Sequence, residues 1–579
     1  MQNICKDLNR LLIEAIESID YLKCISNKKI SIQYFGNHGI DYCYRGLLHL
    51  QMELKKRLMI KTVEQIGESI IDNLKKHPCY PLYEFWIERN NFNVKITSKK
   101  ICDSLSDIIL KPDIIRKHKK KSVLVDFSSP NIAKDMHVGH LRSTIIGESI
   151  CRILELSDYN VSRINHIGDY GLQFGMLIQY LEQKIYNLEK EEASIGDLQK
   201  FYSESKKRFD TDENFKKESY NKVVLLQKGD PKIIQLWEII KDISRKSYNQ
   251  IYDRLEIVNT EVGESFYQQL IPSLIDELNQ KNLLEQDSGR MIIRIPEISE
   301  VPLTIVKSDG GYTYDTTDLA AIRYRLVDLK MDKIYYVVDS GQEPHFRLIF
   351  EAARRMGWLT NQIVEHIKFG LVQAESGKKF KSREGDTVKL IDLLNEALVR
   401  AEDVLNEREN PVDFGHEEKN NIIRCVAYGA IKYYDLSNNR TSDYEFSFDK
   451  MLSLKGNTAP YLQYAYVRIK AILRKGNFDS SGNLMIDHPR EVELAKYIIT
   501  FPEIIDRLRK DFYFHNLCRY LYKLSTLFNN FFTECRCINF DEQGNILGVN
   551  KSRLLLCEIT RRVMEKSFYI LGINTLERM

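Results

Sequence analysis

The chain has 579 residues, of which 43% are hydrophobic and 28% charged, and a formal net charge of +3. That length exceeds what one hydrophobic core serves, so three or four domains are expected. The small net charge gives no general attraction to nucleic acid, so any RNA contact must come from local patches, and no run of ~18 apolar residues is present to span a membrane.

The start, Met1 to Asp7, lacks the charged head, apolar stretch and small-residue cleavage site of a secretory signal, and Asp7 and Glu14 argue against a transit peptide. Eleven cysteines are scattered without a Cys-x-x-Cys pair. Cys535 and Cys537 are close, but no second pair or histidine cluster stands near them in sequence. Reduced thiols in a cytoplasmic protein, with no protein-held metal, are the expectation.

Residues 1–115 mix helical periodicity with short strand-like runs such as Asn93–Thr97 and read as an α+β module. The basic run Arg116–Lys121 reads as a solvated linker. From Val123 the pattern alternates between strand and helix: the apolar run Val123–Phe127, a turn from Pro130 to His140, a helix from Leu141 to Leu156, then strand candidates Val161–His166 and Ile334–Asp339. This predicts an α/β, Rossmann-like domain whose doubly wound parallel sheet binds ligands at its carboxyl ends. Residues 183–257, charged and helical in pattern, interrupt it as an insertion. Beyond 456 helical spacing dominates, for example Leu554, Leu555, Ile559, Val563, Met564, Phe568 and Leu571, and predicts an all-α bundle.

The Pro130–His140 turn carries the chemistry. His137 and His140, with Gly139 between them at a strand-to-helix turn, suit a triphosphate. Helix-terminal amides and imidazole donors can hold phosphates, and a residue without a side chain lets a flat base lie close to the backbone. A His-x-Gly-His string alone is weak, since incidental turns contain it. Here the turn context is right and partner strings follow.

Those strings are Ser128-Ser129-Pro130-Asn131-Ile132-Ala133-Lys134, leading into His137-Val138-Gly139-His140-Leu141-Arg142-Ser143-Thr144, and Asn165-His166-Ile167-Gly168-Asp169-Tyr170-Gly171-Leu172-Gln173-Phe174-Gly175. They resemble signatures of the arginyl-tRNA synthetase family, class I, over nearly the whole chain. The second string reads equally as a glycine-rich turn that closes the pocket. The resemblance implies an N-terminal tRNA-contacting module (1–115), a catalytic domain (116–455) and an anticodon-binding bundle (456–579).

By the same resemblance, L-arginine is held by Ser129, Pro130, Asn131, His140, Glu264, Tyr314, Asp318 and Gln342. ATP is held by His137, Gly139, His140, His345, Lys379 and Lys381. The catalytic set is Lys134, His137, Gly139, His140, Lys379, Lys381 and Ser382. A planar cation with five donors needs carboxylates and amide oxygens in a fixed fork, which Glu264, Asp318, Asn131 and Gln342 could supply. Tyr314 and Asp318, four apart, share a helical face. The insertion is short for a separate editing domain. A site built on hydrogen bonds to a polar substrate rejects analogues lacking them by ~10⁴–10⁵-fold, so no second sieve is required.

The second class I signature appears as Lys379-Phe380-Lys381-Ser382-Arg383. Ser382 stands where a second lysine is usual. The resemblance implies that Lys134 substitutes, and a flexible ammonium from the other side of the pocket could neutralise the same phosphate charge. Gly377 and Gly385 flank a lid, although a basic loop without a defined role also fits. Pro460 suits a helix's first turn, and Tyr461, Tyr464 and Arg468 follow at i, i+3 and i+7, planes on which loop bases stack or a tyrosine-rich core seam. The implied partners are tRNA-Arg, L-arginine and ATP with Mg2+, for a monomer. The alternatives are a class I synthetase for another amino acid, whose neutral substrate would leave Glu264 and Asp318 unpaired, and a non-catalytic relative, which would be expected to lose a histidine or pocket acid.

Overall fold

The computed structural model describes residues 3–23, 25, 30–37, 39–110, 115, 117, 120–184, 194–373, 389–407, 414–480 and 482–579. The chain divides into two compact units, one of residues 1–117, 454–569 and 574–579, the other of residues 118–453 and 570–573.

The first unit begins with α1 (Ile4–Glu17), β1 (Gln33–Asn37), β2 (Ile40–Tyr44), α2 (Leu47–Lys56), α3 (Val63–Leu74), β3 (Tyr83–Glu88), β4 (Asn91–Ile96) and α4 (Ser98–Leu110). Its antiparallel sheet has the order β1-β2-β4-β3. Helix α3 shows how the sequence writes an element: Thr62 and Gln65 close a capping box, and Val63, Ile66, Ile70 and Leu74 form the buried stripe.

The second unit opens with β5 (Ser122–Asp126), α5 (Val138–Leu156) and β6 (Asn160–Asn165). Four helices follow, α6 (Leu172–Lys184), α7 (Ile195–Thr211), α8 (Glu213–Gln227) and α9 (Pro231–Leu255), before the short strand β7 (Thr260–Glu261). Then come α10 (Glu264–Gln268), α11 (Ile271–Gln280), a hairpin sheet of β8 (Glu285–Asp287), β9 (Arg290–Ile293) and β10 (Leu303–Val306), and α12 (Tyr314–Arg323), which runs into a π-helical turn, Tyr324–Asp328. Strands β11 (Lys333–Tyr336) and β12 (Ile363–His366) flank α13 (Glu343–Arg355). The unit closes with β13 (Val372–Gln373), α14 (Leu390–Asn406), α15 (His416–Ser437), β14 (Tyr444–Glu445) and α16 (Phe448–Leu452).

The central sheet runs β12-β11-β5-β6-β7, every pairing parallel. Val123, Leu124 and Val125 are buried because helices cover the sheet, which explains their continuous apolar run. Strand order reverses at β5, between β6 and β11, and a crevice at the carboxyl ends of the strands follows from that topology. This is the doubly wound architecture that the alternating pattern predicts.

Helices α17 (Ala459–Lys475), α18 (Pro489–Ile498), α19 (Phe501–Asp511) and α20 (Phe514–Glu534), the hairpin β15 (Ile538–Phe540) and β16 (Ile546–Val549), and α21 (Lys551–Ile570) complete the chain. Polar contacts tie this helical region to the N-terminal segment within the first unit. Lys496 Nζ lies 2.8 Å from buried Asp41, Asn3 donates to Asp506 at 2.7 Å, and Arg562 donates to the carbonyls of Ile108 and Ile109. Periodicity along the chain carries no trace of such pairs.

Candidate active site

The loop joining β5 to α5 is held in an unfavourable backbone conformation. Ser128, Ser129 and Ala133 have φ of 77°, 49° and 61°, the left-handed region, at about 1–2 kcal/mol each. The neighbours that offset this are specific. Ser128 donates its amide to Ser143 Oγ at 2.8 Å, and its hydroxyl meets Tyr252 and Thr144. The Ser129 amide donates to Asn165 Oδ1 at 2.9 Å and the Ala133 amide to Ser244 Oγ at 3.1 Å, while the Tyr248 hydroxyl donates to the Asn131 carbonyl. Ser244, Tyr248 and Tyr252 lie on α9, so the helical insertion braces the signature loop. Below it, Asp126 accepts from Ser129 Oγ and pairs at 2.7 Å with Arg325, which is 1% exposed.

The two histidines cap their own helix. Gly139 donates its amide to His137 Nδ1 at 3.0 Å, and His137 donates its amide to His140 Nδ1 at 3.1 Å. Each Nδ1 is an acceptor, so each neutral ring carries its proton on Nε2. Burial and Lys134 push His137 below its usual pKa, and burial with His137 alongside pushes His140 down to about 3. The pair, with ring centroids 4.1 Å apart, therefore offers two neutral Nε2–H donors at a helix N-terminus, an arrangement suited to phosphate oxygens. A side chain at Gly139 would put its Cβ 2.8 Å from the His137 ring, which explains the glycine.

Backbone pairing assembles the other strings beside this loop. Gly168 donates to the Pro130 carbonyl, Ile132 to the Gly168 carbonyl, and Glu264 to the Ile167 carbonyl, each at 3.1 Å. Any Cβ on Gly168 would stand 2.3 Å from Asn131 Oδ1. Asn131 and Glu264 are thus set on adjoining backbone. Asp169 fixes the start of α10, accepting from the Ser265 amide and hydroxyl at 2.9 and 2.6 Å, while Trp237 and Lys241 of α9 reach its carbonyl and carboxylate at 2.8 and 3.6 Å. Burial, then the charges of Asp318 and Asp169, push Glu264 up to about 8.

Asp318 and Tyr314 lie on α12, and His345 lies on α13. His345 Nε2 is 2.7 Å from Asp318 Oδ2, its Nδ1 is 3.3 Å from Asp315 Oδ1, and the Tyr314 ring tilts over it at 5.1 Å. Burial raises the Asp318 carboxyl, but the His345 hydrogen bond and the charges of His166, His345 and Arg325 outweigh it and hold the carboxyl low. Burial likewise opposes charge on His345, yet the two aspartates carry it up to about 9. Gln342 is exposed and its amide donates to Asp339 at 3.3 Å. Tyr314 is 67% exposed.

Lys134 projects its ammonium over the Tyr202 ring of α7 at 5.2 Å, close enough to His137 to depress that ring's charge. Lys379, Lys381 and Ser382 lie outside the described residues. The residue just past that stretch, Lys389, pairs with the His137 backbone, and its ammonium sits 2.8 Å from Asp135. In the other unit Tyr461, Tyr464 and Arg468 share α17. Arg468 lies over the Tyr464 ring at 4.9 Å, and Asn529 joins the group by accepting from Arg468 and donating to Tyr461.

Several supports were invisible to sequence reasoning. Asp169 lies inside the Asn165–Gly175 string and Asp315 between Tyr314 and Asp318, neither with a role readable from sequence, whereas Arg325, Lys241 and Trp237 gave no signal. Among the described residues no His, Cys, Asp and Glu group forms a metal site and no helix is long and apolar enough to cross a membrane.

Residues 104–448 match the family model described as tRNA synthetases class I (R), catalytic domain, and residues 462–579 match the DALR anticodon binding domain. A Gallus gallus protein named arginine–tRNA ligase, cytoplasmic, is 48% identical over 555 residues, covering 93% of this chain and 83% of that one. The Homo sapiens protein of the same name is 46% identical over 552 residues with the same coverage. The crystal structure of the Plasmodium falciparum arginyl-tRNA synthetase superposes with a TM-score of 0.86 at 32% identity, covering all of both chains. The Thermus thermophilus arginyl-tRNA synthetase, at 21% identity, shares the fold with a TM-score of 0.76 over both full chains.

Proposed function

From the premise that this chain belongs to the class I arginyl-tRNA synthetase family and joins arginine to tRNA-Arg at the expense of ATP, we propose that Glu264 and Asp318 grip the substrate guanidinium while His137 and His140 hold the ATP phosphates. One observation carries the amino-acid side: Glu264 is pushed up to about 8 because it is buried beside Asp318 and Asp169. A carboxyl group held neutral by burial beside two aspartates becomes a carboxylate when a cation enters, which fits a guanidinium site.

The chemistry has two steps. The arginine carboxylate attacks the α-phosphorus of ATP, forming arginyl-adenylate and releasing pyrophosphate. A hydroxyl of the terminal ribose of tRNA then attacks the activated carbonyl and AMP leaves. No side chain becomes covalently attached. The residues position the reactants and stabilise negative charge at phosphorus, through the Nε2–H groups of His137 and His140, the ammonium of Lys134, and Lys379 and Lys381. Mg2+ accompanies the ATP phosphates as part of the substrate. Asn131, Tyr314 and Gln342 complete the arginine side, and Tyr461, Tyr464 and Arg468 offer stacking planes to tRNA bases. The protein acts as a monomer in the cytoplasm, as the names of its relatives suggest for the compartment.

The test is tRNA charging with each of the twenty amino acids, with tRNA-Arg present throughout. Arginine alone should be transferred. Transfer of a neutral amino acid at a comparable rate would remove the role given to Glu264 and Asp318.

A further inference from the structure

We propose that His345 is a positioning residue for arginine selectivity: it clamps the Asp318 carboxylate from behind, so that the substrate guanidinium meets an acceptor already fixed in place. The inference rests on the reading that Asp318 receives the guanidinium.

The geometry is that of a strut between two helices, α12 and α13. His345 sits in the first turn of α13, and both its ring nitrogens end on carboxylates of α12, Asp318 at 2.7 Å and Asp315 at 3.3 Å. Asp315 is itself anchored, accepting the Thr304 amide of β10 at 2.9 Å. The order of restraint therefore runs from β10 through Asp315 and the imidazolium to Asp318. Only Oδ2 of Asp318 is engaged by the ring, which leaves Oδ1 and the remaining lone pairs for a forked donor. Tyr314 covers one side of the ring and Phe346 meets its edge.

Charge explains why a histidine serves. An imidazolium donates from both nitrogens, whereas a neutral ring donates from one, so loss of its proton must release one aspartate. The ionisable groups around the arrangement are Asp315, Asp318 and Tyr314 on α12. On its own helix Glu343 is turned to Lys368. The charges of His166 and Arg325 also act on Asp318, and the charge of Asp318 acts on Glu264. The two aspartates keep the ring protonated up to about pH 9, so the clamp is closed across the neutral range.

The experiment measures KM for arginine and for ATP in steady-state aminoacylation, from about pH 7 to 10, for the wild type, His345→Ala, His345→Gln and Asp318→Asn. Loss of a hydrogen bond to a charged group predicts an arginine KM raised about tenfold or more in His345→Ala, a larger change than any in KM for ATP, to which the family resemblance also assigns this residue. His345→Gln, a neutral donor, should recover part of that loss. The wild-type arginine KM should climb above about pH 9, and His345→Gln should show less of that climb, the α-amino group of arginine titrating alike in both. An unchanged or lowered arginine KM in His345→Ala, a change confined to ATP, or matching pH profiles for wild type and His345→Gln would overturn the proposal. Asp318→Asn keeps the two readings apart. If it leaves arginine KM unchanged, the pocket assignment fails; if it raises KM while His345→Ala does not, only the clamp fails.

Discussion

The pocket at the sheet's carboxyl edge and the tyrosine face of α17 are built from the same kinds of side chain, but they are held differently. In the pocket, Asn131 and the two histidines on one turn, Glu264 on α10 and Asp318 on α12 come from three separate segments and are fixed by backbone pairing and buried charge. On α17 the group comes from one helix, Tyr464 is 45% exposed, and Arg468 and Tyr461 share a single partner, Asn529. A site fixed from many directions loses much when one member is cut, because the neighbours left behind are buried and unpaired. A site laid along one solvated helix loses roughly the contact itself.

That contrast predicts a ranking. Asp318→Asn should raise KM for arginine by ~10²-fold or more and leave KM for ATP nearly unchanged, the scale of truncating one partner of a desolvated charge pair. A change below about threefold would place Asp318 with the solvated residues of α17. Lys134→Ala should slow adenylate formation by ~10²-fold, the cost of removing one charge stabiliser, as read in single-turnover kinetics. A normal rate would pass that work to Lys381.

The third effect is one of pH. Free enzyme below pH about 8 carries neutral Glu264, and a guanidinium needs its carboxylate, so arginine binding expels a proton. KM for arginine should therefore fall as pH rises towards 8, by up to ~10-fold per unit, and level off between about pH 8 and 9, before loss of the His345 proton raises it again. A flat profile would mean that Glu264 is already ionised in the free enzyme. Smallest is Tyr464→Ala, which should weaken tRNA binding by ~10-fold, within the ~1–3 kcal/mol range of one stacked base, without altering arginine KM. An arginine effect from that substitution would erase the distinction between the two regions.

Much of the catalytic unit was legible in advance because its determinants are local. Val123–Phe127 had to be a covered strand, the Pro130–His140 turn had to lead into a helix, and the spacing of Tyr314 and Asp318 had to put them on neighbouring turns. Boundaries moved by a few residues: α5 starts at Val138 because the histidines cap it. The supports were not legible. Asp126 with Arg325 and Asp169 with Lys241 join residues far apart in the chain, and any lone acid or base of these types is commonly a solvated surface group. His345 illustrates the gap best, since it and Asp318 were both readable as site residues while their pairing, and the part played by Asp315, were not.

By itself the sequence determined the alternation of strands and helices, the glycine between the histidines, and the carriers of negative charge, since each depends on neighbours within a few residues. Only the tertiary structure decided the raised pKa of Glu264 and the bracing of the strained loop by α9. Those properties arise from burial and from the field of distant side chains, and neither exists until the chain has folded.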